Sequence, residues 1–266
     1  MNSFMDNTSA PKNHVLITGG SRGIGKAIAI KFASQGYRIG ICGRTLSTLA
    51  DTAKMLSDKY GVVCNFFEAD ALNLQDFESR IVAYCKEFGH PDILINNVGG
   101  GGRWGSENFH ETSFSTWLEV VNKNLGAAVV ATNLLIPMMV KRGFGRVITI
   151  SSRGAREIGP RPWFSTAKAG QIFFMKGLAK NSGLVRAGLS FVTVAPGAIE
   201  IEGTGWDELK KRDPEHFKEF VDKNFPLGRL GFPDEVANLV FFCAQEEAGL
   251  LNGSFIGIDG GESDYF

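Results

Sequence analysis

Cysteine is scarce in this chain of 266 residues: Cys42, Cys64, Cys85 and Cys243 are scattered and form no C-x-x-C pair. The four histidines, His14, His90, His110 and His216, are equally dispersed. A disulfide framework and a structural metal are therefore not expected, and a reducing, cytoplasmic setting is the default. An excess of basic charge is also missing, since Lys+Arg and Asp+Glu stand at 28 each. That balance excludes an extended nucleic-acid platform, which needs cations to displace counterions. No apolar run is expected to reach the roughly 20 residues that cross a bilayer. The first residues, "MNSFMDNTSAPKN", lack a basic and then apolar leader, and residues 1–12 are expected to be a disordered lead-in.

The chain does hold 44% hydrophobic residues, enough for a substantial core. Short β-branched runs alternate with longer helical patterns. Strands are expected at "HVLIT", "YRIGIC", "VVCNFFEAD", "DILINN", "GRVITISS", "LSFVTVAP" and "SFIGID". Helices are expected from Gly23 to Ser34, over "LSTLADTAKMLSDKY" and "DFESRIVAYCKEF", and in one long stretch from Phe114 to Arg142. "FSTAKAGQIFFMKGLAKNS" and "PDEVANLVFFCAQE" complete the helical set. Parallel strands joined by helices require right-handed crossovers, and strands apolar on both faces require helices on both sides. The pattern predicts a single α/β domain over residues 13–266, a Rossmann-type doubly wound parallel sheet.

"TGGSRGIG", Thr18 to Gly25, falls between the first strand and the first helix. Glycines there permit a tight turn and bring backbone N–H groups to a pyrophosphate at a helix N-terminus. Gly19, Ser21, Arg22, Gly23 and Ile24 are the candidate contacts. At the end of the second strand an NAD site carries a carboxylate for the ribose 2′-hydroxyl. This chain has Gly43 followed by Arg44. With Arg22 in the loop, two guanidinium groups and no carboxylate point to a 2′-phosphate, and hence to NADP(H).

With these residues in place, the chain resembles a short-chain dehydrogenase/reductase over nearly its whole length. Thr18, Gly19, Gly23, Ile24 and Gly25 match the family's TGxxxGIG. Asp70, with Ala71, matches its acidic residue beside the adenine. "NNVG", Asn96 to Gly99, stands for its N-N-A-G and supplies Asn97 and Gly99. "APGAI" carries its P-G turn as Pro196 and Gly197, with Ile199 following. The resemblance implies a catalytic set of Asn, Ser, Tyr and Lys. Asn124 would support the lysine through water. Ser151, thirteen residues before the tyrosine position, would be the serine, with Ser152 the adjacent alternative. Lys168 would hold the cofactor ribose. The tyrosine position is Phe164, which keeps the ring and lacks the acid. On a helix, residues four apart share a face, so Phe164 and Lys168 are expected side by side.

Three explanations for Phe164 stay open. The first is an introduced Tyr→Phe change; the second is a native phenylalanine with another proton source or another reaction; the third is cofactor binding without turnover. A second departure is Ile201 where family members often place a threonine near the carboxamide, with Thr204 slightly later. Arg103, Arg153 and Glu157 are expected substrate contacts, and with Arg156 and Arg161 nearby they suggest an anionic small molecule. Glu157 and His110 are candidate substitute proton donors. The charged, amphipathic insertion from Gly203 to Phe225 is expected to form a substrate lid. The resemblance also implies a homotetramer or homodimer, with Tyr265 a candidate to reach a neighbouring subunit.

Overall fold

Why seven short apolar runs make one sheet is visible in how their side chains alternate. The computed structural model describes residues 13–101, 103–157 and 161–264; the expected lead-in at 1–12 and Tyr265 lie outside them. The strands are β1 (His14–Thr18), β2 (Arg38–Gly43), β3 (Cys64–Glu68), β4 (Ile93–Asn96), β5 (Gly145–Ile150), β6 (Leu189–Pro196) and β7 (Phe255–Ile258). On one face Ile17, Ile41, Ile95, Ile148 and Val194 pack under α1 (Gly23–Ser34), α2 (Leu46–Tyr60) and the later helix Pro233–Cys243. On the other, Leu16, Leu94, Val147 and Phe191 pack against α3 (Leu74–Phe88) and the two long helices that follow β4 and β5. A period of two with both faces apolar is what a sheet covered on both sides demands.

The strand order is β3-β2-β1-β4-β5-β6-β7, every pair parallel. The order reverses between β1 and β4, so the crevice at their carboxyl ends is the switch point where ligands bind in open α/β sheets.

Two expectations change. The stretch Phe114–Arg142 is not a uniform helix but α4 (Phe114–Val121), a π turn over Asn122–Gly126, and α5 (Ala127–Arg142). It is also long and apolar enough to cross a membrane by length and composition alone. Its packing accounts for that character: Ala127, Ala131, Leu135 and Met139 are core residues against the sheet. The buried Thr132 hydroxyl accepts from Asn96 Nδ2 at 3.0 Å, fixing this helix to β4.

The remaining helices are α6 (Pro162–Ala179), α7 (Ser182–Arg186), α8 (Gly205–Arg212), α9 (Pro214–Asn224) and α10 (Pro233–Cys243). Pro162 opens α6 two residues earlier than expected, since proline fits the first helical turn without losing a bond. The insertion forms α8 and α9, folded on an aromatic cluster in which Trp206 stacks on Phe220 at 5.4 Å and Phe225 is buried.

Candidate active site

The glycine loop is bent by Gly19 at φ +70° and Gly23 at φ +52°. A side chain on Gly25 would place Cβ 2.1 Å from the Gly19 carbonyl oxygen, so only glycine lets α1 approach the turn. No side chain caps α1 and no acidic residue lies in its first turn, which leaves its first N–H groups and positive dipole end to an anion. The cradle therefore fits the pyrophosphate of a dinucleotide.

Gly43 sits beside this loop, with Ser21 Oγ 3.6 Å from where its Cβ would stand. That is ordinary contact distance, so the missing carboxylate is not forced by crowding. Arg22 and Arg44 are exposed at the cleft's edge. Lys123, which the sequence reading passed over, joins them. Its ammonium lies over the Trp104 ring at 4.3 Å. Burial lowers its pKa, the charges of Arg44 and Arg22 lower it further, and Asp70 raises it. The four charged groups thus share one field. The only hint in the sequence is a lysine inside an otherwise apolar helical run.

Asp70 Oδ1 accepts from Leu72 N at 3.0 Å, closing the turn after β3, and Ala71 is buried behind it. Asn97 acts on the loop rather than facing the crevice: Nδ2 donates to the carbonyls of Thr18 at 2.9 Å and Gly19 at 3.1 Å. Its expected cofactor contact becomes an indirect one through the glycine turn. Thr18 completes the tie, its hydroxyl accepting from Asn97 N and Val98 N, both at 3.0 Å.

Asn124 is fully buried in the π turn. Nδ2 donates to the Gly100 and Val120 carbonyls at 2.8 Å each, and Oδ1 accepts from Gly100 N at 3.2 Å. A Cβ on Gly99 would lie 2.7 Å from Asn124 Oδ1 and 3.1 Å from Lys168 Nζ, so glycine keeps that space open. The Asn124 carbonyl accepts from Gln171 Nε2 at 3.1 Å. Gln171, buried and one turn beyond Lys168, is a second partner the sequence reading missed.

Lys168 donates from Nζ to the Ile150 carbonyl at 2.9 Å, and burial lowers its pKa from 10.5 to about 7. The expected juxtaposition with Phe164 is found: Nζ stands 5.8 Å from the ring centroid. The ring itself packs against the buried cluster of Val120, Trp163 and Ala167, which Trp104 and Trp117 also flank.

The serine expectation needs correction. Ser151 continues β5, its N–H donating to Val194 O at 2.8 Å, and its buried hydroxyl donates to the Lys168 carbonyl at 3.0 Å. Ser152 is half-buried, and its hydroxyl accepts from Gly154 N at 3.2 Å. A count back from Phe164 crosses a loop of variable length, whereas the strand's alternation turns consecutive residues to opposite sides. The geometry favours Ser152 for the exposed hydroxyl.

The substrate expectations for Arg153 and Glu157 are corrected too. The two pair with each other, Arg153 Nε also binds Glu262 at 2.7 Å, and Glu157 Oε1 accepts from Asp264 N at 2.7 Å. Their charges are satisfied within the chain. His110 lies exposed beside Glu111 at 4.0 Å. Arg161 reaches Glu107 at 3.5 Å. Arg103 packs against Gly205 at the start of α8, in space that any side chain there would fill.

Beyond the end of β6, Gly197 donates to Ile258 O at 3.1 Å following Pro196. The Ile199 side chain is in the core and its backbone forms a β-bridge with Gly231, so the side chain is closed to a ligand. Ile201 packs 3.2 Å from the Cβ position of Gly23, joining this segment to the glycine loop. The Thr204 hydroxyl is taken by the Ile201 carbonyl at 2.7 Å.

The sequence profile of the family described as enoyl-(acyl carrier protein) reductase matches residues 19–263. This chain is a short-chain dehydrogenase/reductase. As a member of that oxidoreductase family it is 34% identical over 249 residues to a 3-oxoacyl-(acyl-carrier-protein) reductase of Aquifex aeolicus, covering 92% of this chain and 95% of the relative. It is 33% identical to the acetoacetyl-CoA reductase of Shinella zoogloeoides, covering 93% and 97%. Among solved structures, this chain resembles L-sorbose reductase of Gluconobacter frateurii in complex with NADPH and L-sorbose. The TM-score is 0.86 at 28% identity, over 96% of this chain and 97% of that one. An actinorhodin polyketide ketoreductase variant with NADPH matches at a TM-score of 0.85 and 27% identity, over 96% and 98%.

Proposed function

We propose that this protein is an NADP(H)-dependent reductase that interconverts a carbonyl and a hydroxyl on a small molecule, with a reaction slowed by Phe164. The observation that carries it is the pairing of an uncapped glycine-loop helix with Arg22, Arg44 and Ser21 around the position of Gly43, where a carboxylate would otherwise discriminate against a 2′-phosphate. The NADPH in complex with two of the structural neighbours supports the same cofactor.

Bound NADPH would supply hydride to the carbonyl carbon. Arg22, Arg44 and Ser21 would hold the 2′-phosphate, Asp70 and Ala71 would line the adenine, and Gly19, Gly23 and Ile24 would bind the pyrophosphate. Lys168 would hold the ribose, and the backbone at Pro196, Gly197 and Ile199 would meet the nicotinamide amide. Ser152 would hydrogen-bond the substrate oxygen. Phe164 brings no proton, so the acid nearest the ring is the Lys168 ammonium, which at a pKa of about 7 is half charged at neutral pH. The walls beside Phe164 are tryptophan-rich, and Arg153 and Glu157 neutralise each other, so the pocket favours a substrate with an apolar body over the anionic one expected from its arginines.

A second reading, cofactor binding without turnover, is favoured by Phe164 alone. One comparison separates them: NADPH oxidation over a carbonyl panel by the present chain and by Phe164→Tyr. Turnover in both supports the proposal. NADPH binding without turnover in either supports the silent reading, and no NADPH binding overturns both.

Assembly as a homotetramer or homodimer is supported by exposed Phe114, Leu118 and Val140 on α4 and α5 and by Phe173 on α6, 79% exposed. Light scattering after gel filtration tests it. Free thiols at all four cysteines suit a reducing cytoplasm.

A further inference from the structure

The mechanism leaves one buried carboxylate unused. The Glu262 side chain is only 5% exposed, and acidic groups are almost never buried unless paired. Both of its oxygens are engaged. Oε2 accepts from Ala198 N at 2.6 Å, in the turn that leaves β6. Oε1 lies 2.7 Å from Arg153 Nε, in the loop that carries Ser152 away from β5. Gly197 makes room for it: a Cβ there would stand 2.4 Å from Glu262 Oε2.

The segment bearing Glu262 is itself fixed. Glu262 N donates to Asp259 O at 3.2 Å, Gly261 N donates to Asp259 Oδ1 at 3.1 Å, and Ser263 donates to the same carboxylate. A second strand of contact runs from Arg153 through Glu157 to Asp264 N. Burial raises the Glu262 pKa, and Asp259 adds to that, against the opposing pull of Ala198 N–H and Arg153. A carboxylate kept in such a place costs desolvation that its two partners must offset.

We propose that Glu262 is a positioning residue that holds the Pro196–Ala198 turn and the Ser152–Arg153 loop at a fixed separation, shaping the nicotinamide end of the cleft. The proposal rests on the cofactor reading above. The pyrophosphate would lie at the glycine loop after β1, and the 2′-phosphate beside Arg22 and Arg44, toward β2. The other half of a dinucleotide must then extend over β4, β5 and β6, between the two segments that Glu262 joins. None of Glu262's contacts touches the glycine loop, Arg22 or Arg44.

That separation gives a test independent of turnover. NADPH and adenosine 2′,5′-bisphosphate share the 2′-phosphate half, and only NADPH reaches β6. Titration calorimetry on folded Glu262→Ala is expected to show NADPH affinity lowered by about ten-fold or more, the scale of one lost charge-assisted hydrogen bond, with bisphosphate affinity unchanged. Glu262→Gln, which keeps an acceptor for Ala198 N–H, should recover part of the loss, and Arg153→Gln should reproduce part of it. If Glu262→Ala does not fold, the last two variants make the same comparison. Equal loss of both ligands, or loss of neither, overturns the proposal. Binding of neither ligand by the present chain overturns the cofactor reading and this inference with it.

Discussion

Phe164 and Lys168 are one helical turn apart, and between them they set the chemistry at the residue scale. Restoring the hydroxyl with Phe164→Tyr should raise carbonyl reduction by roughly 10²–10⁴, the usual worth of a positioned general acid, read as NADPH oxidation. The ring's packing against the cluster of Val120, Trp163 and Ala167 should leave the melting temperature almost unchanged. If Lys168 is the proton source in the present chain, reduction should decline as pH rises through about 7, and Phe164→Tyr should alter that profile. At the cofactor's far end, Gly43→Asp should fit sterically and repel a 2′-phosphate. NADPH affinity is expected to fall about ten-fold or more relative to NADH, measured by titration of each. The neighbourhood of Phe164 and Lys168 was legible in the sequence because residues four apart on a helix share a face, a spacing the structure keeps. Ser152 was read only as the alternative to Ser151, and Lys123 and Gln171 were not read at all. The first depends on loop length, and the others on which way a helix faces at an irregular turn.

Elements matter where backbones come close. Gly25 allows α1 to lie against the first turn, and Gly25→Ala would press a methyl to 2.1 Å from a carbonyl oxygen. Overpacking of this kind costs about 1–3 kcal/mol or more, so the variant should melt earlier and bind NADPH less tightly, checked by thermal denaturation with and without cofactor. The π turn at Asn122–Gly126 shows where sequence reading stopped. Periodicity predicted a single helix from Phe114 to Arg142, and apolar spacing alone does not reveal an inserted residue. The ends of β1, α1, α2 and β6 matched expectation because glycine, proline or a run of β-branched residues marks them. The helix pair α8 and α9 was visible as a charged, amphipathic insertion, while its aromatic anchoring through Trp206, Phe220 and Phe225 needed the fold.

At the scale of the whole molecule, one buried amine links function to stability. The folded-state pKa of Lys168 is depressed to about 7 from 10.5. Between those values the unfolded chain binds the extra proton, so stability should rise with pH across that window. Below pH 7 the folded chain must carry a buried ammonium, and the full penalty applies. Lys168→Met should remove this slope, which denaturant titrations at pH 6, 7.5 and 9 would reveal. The global topology was readable from the alternation of strands and helices, because crossovers admit few other arrangements. What joins distant parts of the chain was not: the Arg153 and Glu262 pair brings together residues far apart in sequence, and no local pattern announces it.

The Phe164 seat also has a meaning in genetic terms. The codons for phenylalanine and tyrosine differ only at the middle base. One point mutation therefore separates the two side chains, which differ by a single oxygen atom and the acidic proton it carries. What that one base decides is the supply of a proton to the reaction, while Lys168 and the glycine cradle stay the same with either codon.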